Sequence, residues 1–125
     1  MLFYLRIVCN NLNVETTIVT ETNLPEKENL SYFGNNDEAN WIYNFTLPPL
    51  LIHAFLFETS SYLNQWSNKL PISKKGNCYL NFISSHDGIG LRPAEGLLNN
   101  NELHILAETM AVSYTHLTLP TKRIV

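Results

Sequence analysis

The chain has 125 residues, 45% of them hydrophobic, and a net charge of −3 from 8 basic and 11 acidic side chains. That is enough chain for one packed core, and an acidic balance without a basic stripe argues against a nucleic-acid partner. No apolar run approaches the roughly 20 residues that cross a membrane. The two cysteines, Cys9 and Cys78, have neither metal-like nor disulfide-like spacing, which predicts buried thiols in a reducing, cytoplasmic setting and no metal.

In "MLFYLRIVCN" the apolar residues Leu2, Leu5, Ile7 and Val8 recur at helical spacing. Arg6 interrupts the run and no small-residue cleavage site follows, so it reads as the end of an amphipathic helix and not as a signal peptide. "NNLN" stops that helix, and "TTIVT" (Thr16 to Thr20) has the β-branched character of a strand buried on both faces. Glu21 follows directly, then a polar stretch punctuated by Pro25 and Gly34 that reads as a loop.

"WIYNF" (Trp41 to Phe45) is the second candidate strand. "LPPLLIHAFLF" (Leu47 to Phe57) places prolines where a first helical turn tolerates them, ahead of an apolar run that must be buried or lie flat on a sheet. "SSYLNQWSNKL" (Ser60 to Leu70) reads as a helix capped by Ser60 or Ser61. The linker "PISKKGN" leads to a third strand, "CYLNFIS" (Cys78 to Ser84), and a capped helix is predicted to begin near Asn100. Apolar strands alternating with helices argue for a parallel α/β arrangement, although three strands are few for a complete sheet.

Two of these strands end in residues suited to chemistry. The first delivers Glu21, and the third delivers His86 and Asp87 into the glycine-containing stretch "SSHDGIGLRPAEG". In parallel α/β folds, binding and catalytic groups gather at the C-terminal ends of strands, where two carboxylates can serve as an acid and a stabilising anion. The plainer reading is that Glu21 caps its loop and that Asp87 makes a turn with Gly88. Ser85, His86 and Asp87 have the letters of a hydrolase triad, but neighbours along an extended chain point to opposite faces. His53, within an apolar helix, reads as a satisfied core histidine, and Trp41 and Trp66 read as packing residues. His104 has no partner visible in the sequence. Arg92 could meet an anionic group or simply be solvated.

"VTETNLPEKENLSYFGN" followed by "SSHDGIGLRPAEGLL" resembles the sucrose-phosphorylase-like branch of the alpha-amylase superfamily, from about Leu2 to about Met110. "TETN" and "SYFG" are closer to the glucosylglycerate and sucrose 6-phosphate phosphorylases than to plain sucrose phosphorylase. The resemblance implies a partial (β/α)8 TIM barrel comprising approximately strands five to seven, with "WIYNF" as the sixth. It also implies retaining transfer of an α-glucosyl group between a sucrose-like glucoside and inorganic phosphate, without a cofactor. Glu21 matches the general acid/base, Asp87 the transition-state stabiliser, and His86 a donor to the sugar. Arg92 is the candidate for an anionic acceptor or leaving group.

An acid role would require burial and a neighbouring anion to raise the Glu21 pKa. The family's nucleophile, an aspartate after the fourth strand, has no counterpart before Glu21, so the chain by itself is expected to be inactive. Residues 112–125 contain "VSYTHLTLPT", which one reading frame of a transposase-adapter end used in DNA library preparation encodes residue for residue. Residues 1–111 are therefore taken as the barrel segment and 112–125 as an adapter-derived tail. The rival expectations are another hydrolase or transglucosidase of the same superfamily, and a non-catalytic α/β binding module.

Overall fold

The computed structural model describes residues 1–12 and 15–113. Three short strands form one parallel sheet in the order β1 (Val19–Thr20), β2 (Trp41–Tyr43), β3 (Cys78–Leu80). Val19 pairs with Trp41, and Trp41, Ile42 and Tyr43 pair with Cys78, Tyr79 and Leu80. Helices lie between consecutive strands in sequence, as parallel pairing requires. This bears out the parallel α/β expectation.

The helices are α1 (Leu2–Asn10), α2 (Glu26–Ser31), α3 (Leu47–Leu56), α4 (Ser61–Lys69) and α5 (Asn100–Ser113). Pro48 and Pro49 sit in the first turn of α3, where their missing N–H groups cost no hydrogen bond. Asn99 caps α5 reciprocally: its side chain accepts from the Glu102 N–H (2.9 Å), and the Glu102 carboxylate accepts from the Asn99 N–H (3.1 Å). Leu50 of α3, Trp66 of α4, Leu106 of α5, and Ala94 and Leu98 from the segment before α5 bury together as the main core. A 3-10 turn, Arg92–Ala94, joins this core through its buried Pro93 and Ala94.

Several expectations need correction. The stretch after Glu21 is not all loop, because α2 forms there with Pro25 before it and Glu26 and Glu28 in its first turn, where acids favour the helix dipole. Each strand is shorter than its apolar run, since a ladder extends only as far as a neighbour supplies partners. Val19 is 44% exposed, so β1 is not buried on both faces; its outer edge has no partner strand among the described residues. Trp41 is exposed, unlike Trp66, whose indole N–H donates to Glu26. Cys78 is exposed and Cys9 half-buried, so neither is the buried thiol expected. In α3 the face bearing Leu50 and His53 is buried, but Phe55 points to solvent. Ser60 stands at the α4 N-cap position without capping a backbone N–H; its hydroxyl accepts from Asn64 instead. No residue of α1 is buried, and Phe3, Tyr4, Leu5, Ile7 and Val8 are all exposed.

Val112 and Ser113 continue α5, and the rest of the proposed tail lies outside the described residues. No helix among the described residues is long and apolar enough to cross a membrane.

Candidate active site

Because β1, β2 and β3 run parallel, the segments that follow them leave from the same edge of the sheet. Glu21 comes directly after β1. Past β3, Asn81 to Ser84 lead into a tight turn in which the Gly88 N–H donates to the Ser85 carbonyl (3.0 Å). His86 and Asp87 occupy the two corners of that turn. Gly88 closes it at φ 86°, a left-handed conformation that a side chain would strain. The Ser85 hydroxyl donates to the Gly88 carbonyl (3.4 Å), away from His86, so the three consecutive residues form no triad.

The side chains of His86 and Asp87 are 83% and 73% exposed and face each other, with Nε2 3.3 Å from Oδ1. Glu21 is also exposed, so the burial an acid role demands is not supplied by the described residues. Arg92 is exposed at the start of the 3-10 turn, with its backbone anchored by the buried Pro93 and Ala94 that follow.

What ties these segments together was not anticipated from the sequence. Asn29, only 5% exposed, reaches out of α2 in two directions. Its Oδ1 accepts from the Thr22 hydroxyl (2.8 Å), and its Nδ2 donates to the Tyr43 carbonyl at the end of β2 (2.7 Å). Asn44 Nδ2 donates to Asn81 Oδ1 (2.8 Å) one step beyond the β2–β3 ladder, and Phe45 meets Phe82 edge-to-face beside them at 5.1 Å. Asn23 lies against Gly90: a Cβ built on that glycine would fall 2.3 Å from the Asn23 Nδ2. The "TETN" stretch is therefore linked to the end of β2 through Thr22 and its partner Asn29, and touches the "HDGIG" stretch through Asn23. One signal for part of this bracket was visible, since "YNF" and "LNF" end consecutive strands with the same Asn-Phe pair.

A second polar cluster lies in the helical layer. His53 of α3 is 1% exposed, stacks on Phe57 and has Nε2 3.3 Å from the Glu102 Oε1 of α5, without the alignment of a hydrogen bond. The histidine is in the core as expected, but its Nε2 makes no hydrogen bond, so it is not the satisfied one expected; the Glu102 carboxylate is its near neighbour. Burial alone would raise the Glu102 pKa, but the Asn99 N–H and contacts from His53 and Tyr62 bring it below the ordinary carboxylate value. The same carboxylate raises the Tyr62 phenol. His104 pairs with Glu108 one turn on, at 3.3 Å. A cleft of about 180 Å³ lined by Phe33, Asn36, Lys74 and Tyr79 lies among segments leading into β2 and β3, away from Glu21 and Asp87.

No family model matches the chain. It is similar to three curated proteins named glucosylglycerate phosphorylase. The one from Spirochaeta thermophila is 43% identical over 105 residues, covering 84% of this chain and 18% of the relative. That from Escherichia coli is 42% identical over 107 residues, covering 85% and 19%. The relative from Allomeiothermus silvanus is 42% identical over 103 residues, covering 82% and 19%. The chain thus spans about a fifth of the length of the relatives it matches. It is homologous to that segment of them, which fits the sucrose-phosphorylase-like branch.

Proposed function

We propose that the chain carries strands five to seven of the (β/α)8 barrel of a retaining glycoside phosphorylase. That enzyme transfers an α-glucosyl group between a glucoside and inorganic phosphate. The observation that carries the reading is the contact of Asn23 with Gly90, which joins the "TETN" and "HDGIG" stretches at the C-terminal edge of one parallel sheet. Supporting it are the names of the relatives, which favour glucosylglycerate over sucrose as the glucoside. Among the described residues, the open edges of β1 and β3 and the uncovered apolar side of α1 fit an incomplete barrel.

Glu21 protonates the glycosidic oxygen as it leaves, and the anion of a nucleophile from a strand not in this chain forms the covalent glucosyl-enzyme. Phosphate attacks that intermediate, and Glu21 takes up a proton from the incoming acceptor. The separation of the two carboxyl groups in such retaining pairs is about 5–5.5 Å. Asp87 holds sugar hydroxyls and offsets positive charge on the oxocarbenium-like transition state. His86, whose Nε2 lies 3.3 Å from the Asp87 Oδ1, donates to the same sugar. Arg92 lies past the turn and is free to meet an anionic acceptor or leaving group. Residues 112–125 would take no part, being adapter-derived.

The test is the complete gene product. With phosphate it should convert glucosylglycerate to α-glucose 1-phosphate, and without phosphate it should release far less free glucose. Equal glucose release in both cases would make the parent a hydrolase instead. In the same enzyme Glu21→Gln should slow transfer from poor leaving groups by a factor of about 10²–10⁴, the usual share of general acid catalysis. Donors with activated leaving groups should be far less affected, and equal losses would remove Glu21 from the acid role.

A further inference from the structure

We propose that Thr22 and Asn29 form a latch that positions Glu21, an inference that rests on the acid/base reading of that residue. Glu21 stands on exposed backbone one residue past a two-residue strand, and β1 by itself cannot fix where its carboxyl points. One hydrogen bond holds the next residue, and a second anchors its partner. Thr22 donates to Asn29 Oδ1 at 2.8 Å, and Asn29 donates to the Tyr43 carbonyl at 2.7 Å. The peptide after Glu21 is thereby joined to the end of β2, the strand that pairs with β1 on one side and β3 on the other.

The chemistry of Asn29 suits this position. A side-chain amide presents an acceptor and a donor at once, without charge, so it can bridge a hydroxyl and a carbonyl in a buried place. An aspartate there would set a carboxylate against the Tyr43 carbonyl and would cost the desolvation of a charge. An aliphatic residue would leave both partners unsatisfied. The burial of Asn29 also shields the bridge from competition by water, so the latch is stiffer than an exposed pair would be. Its neighbour Glu21 remains accessible to a substrate. Thr22 and Asn29 act through Glu21 and touch no reacting atom, so they are positioning residues.

The test is made in the complete enzyme with Thr22→Val, which keeps the shape and removes the donor, and with Thr22→Ser, which restores it. Thr22→Val should lower kcat about tenfold for glucosides with poor leaving groups, because a displaced acid protonates less well. It should leave kcat for activated donors within about twofold and the KM for phosphate unchanged, and it should weaken the basic limb of the pH–rate profile. Thr22→Ser should recover most of the loss.

Equal loss on both donor types, or no loss on either, would overturn the latch. If the valine variant does not fold, Thr22→Ala supplies the same comparison of donors, since it removes the hydroxyl and adds no bulk. Glu21→Gln is assayed beside them. If its leaving-group dependence is present and that of the Thr22 variants is absent, the latch fails while the acid role stands. If Glu21→Gln shows no leaving-group dependence, the acid role itself fails.

Discussion

Gly90→Ala is the smallest change that strikes the contact between the "TETN" and "HDGIG" stretches. An ideal Cβ at Gly90 would stand 2.3 Å from Nδ2, 2.6 Å from Oδ1 and 2.7 Å from Cγ of Asn23. Ordinary contact needs roughly 3.5 Å, so the amide must retreat by about 1 Å or turn away. Asn23 is exposed and its side chain is short, so the amide turns aside, at a cost of about 0.5–1.5 kcal/mol where the turn takes it off a staggered well. Gly90 is not among the positive-φ glycines, so an unobstructed alanine would instead stabilise the fold by about 0.4–1 kcal/mol through the unfolded chain.

The two outcomes therefore differ in sign. We expect Gly90→Ala to lower stability by about 1 kcal/mol in denaturant titrations of the complete enzyme, and to lower kcat/KM by up to roughly 10-fold, because the displaced Asn23 amide no longer braces the "HDGIG" stretch against "TETN". Asn23→Ala should absorb the effect: in that background Gly90→Ala should become neutral or stabilising, which appears as a coupling of about 1 kcal/mol in the double-mutant cycle. A Gly90→Ala variant with wild-type activity and higher stability would refute the contact. So would additive effects of the two substitutions.

Two further predictions concern the helical layer and the chain as a unit. The Glu102 carboxyl is held below its ordinary pKa in the folded state, so its contribution is complete above the unfolded value and is lost as pH falls through the folded one. Glu102→Gln should therefore lower the thermal midpoint of the complete enzyme by a few degrees at pH 7 and flatten its decline between about pH 5 and 3; an unchanged acid limb would rule out this carboxylate. The 125-residue chain expressed alone should show no glucosyl turnover and should aggregate, because the apolar face of α1 and both sheet edges are uncovered among the described residues. A sharp, reversible melting transition with a monomer on size exclusion would contradict that.

Elements whose signals are local are legible along the chain. Pro48 and Pro49 mark the start of α3, Asn99 and Glu102 cap α5, and the apolar runs set the order and the parallel class of the strands. The sequence also shows where to look for chemistry, since "TETN" and "SSHDG" follow strands that run the same way. Helix α2 was missed because "EKENLS" is short and polar, so its one inward residue, Asn29, gives no apolar period to read.

Which residues meet depends on the folded arrangement. The extent of each strand was fixed by its neighbour's length, and the burial of Trp66 against the exposure of Trp41 was fixed by what packs over each. The Asn29 bridge to Tyr43, the seat of Asn23 on Gly90 and the His53–Glu102 contact join positions far apart along the chain. Propensity and capping act over a few residues, whereas a hydrogen bond or a steric contact between distant residues exists only once the sheet and helices have brought their backbones within reach.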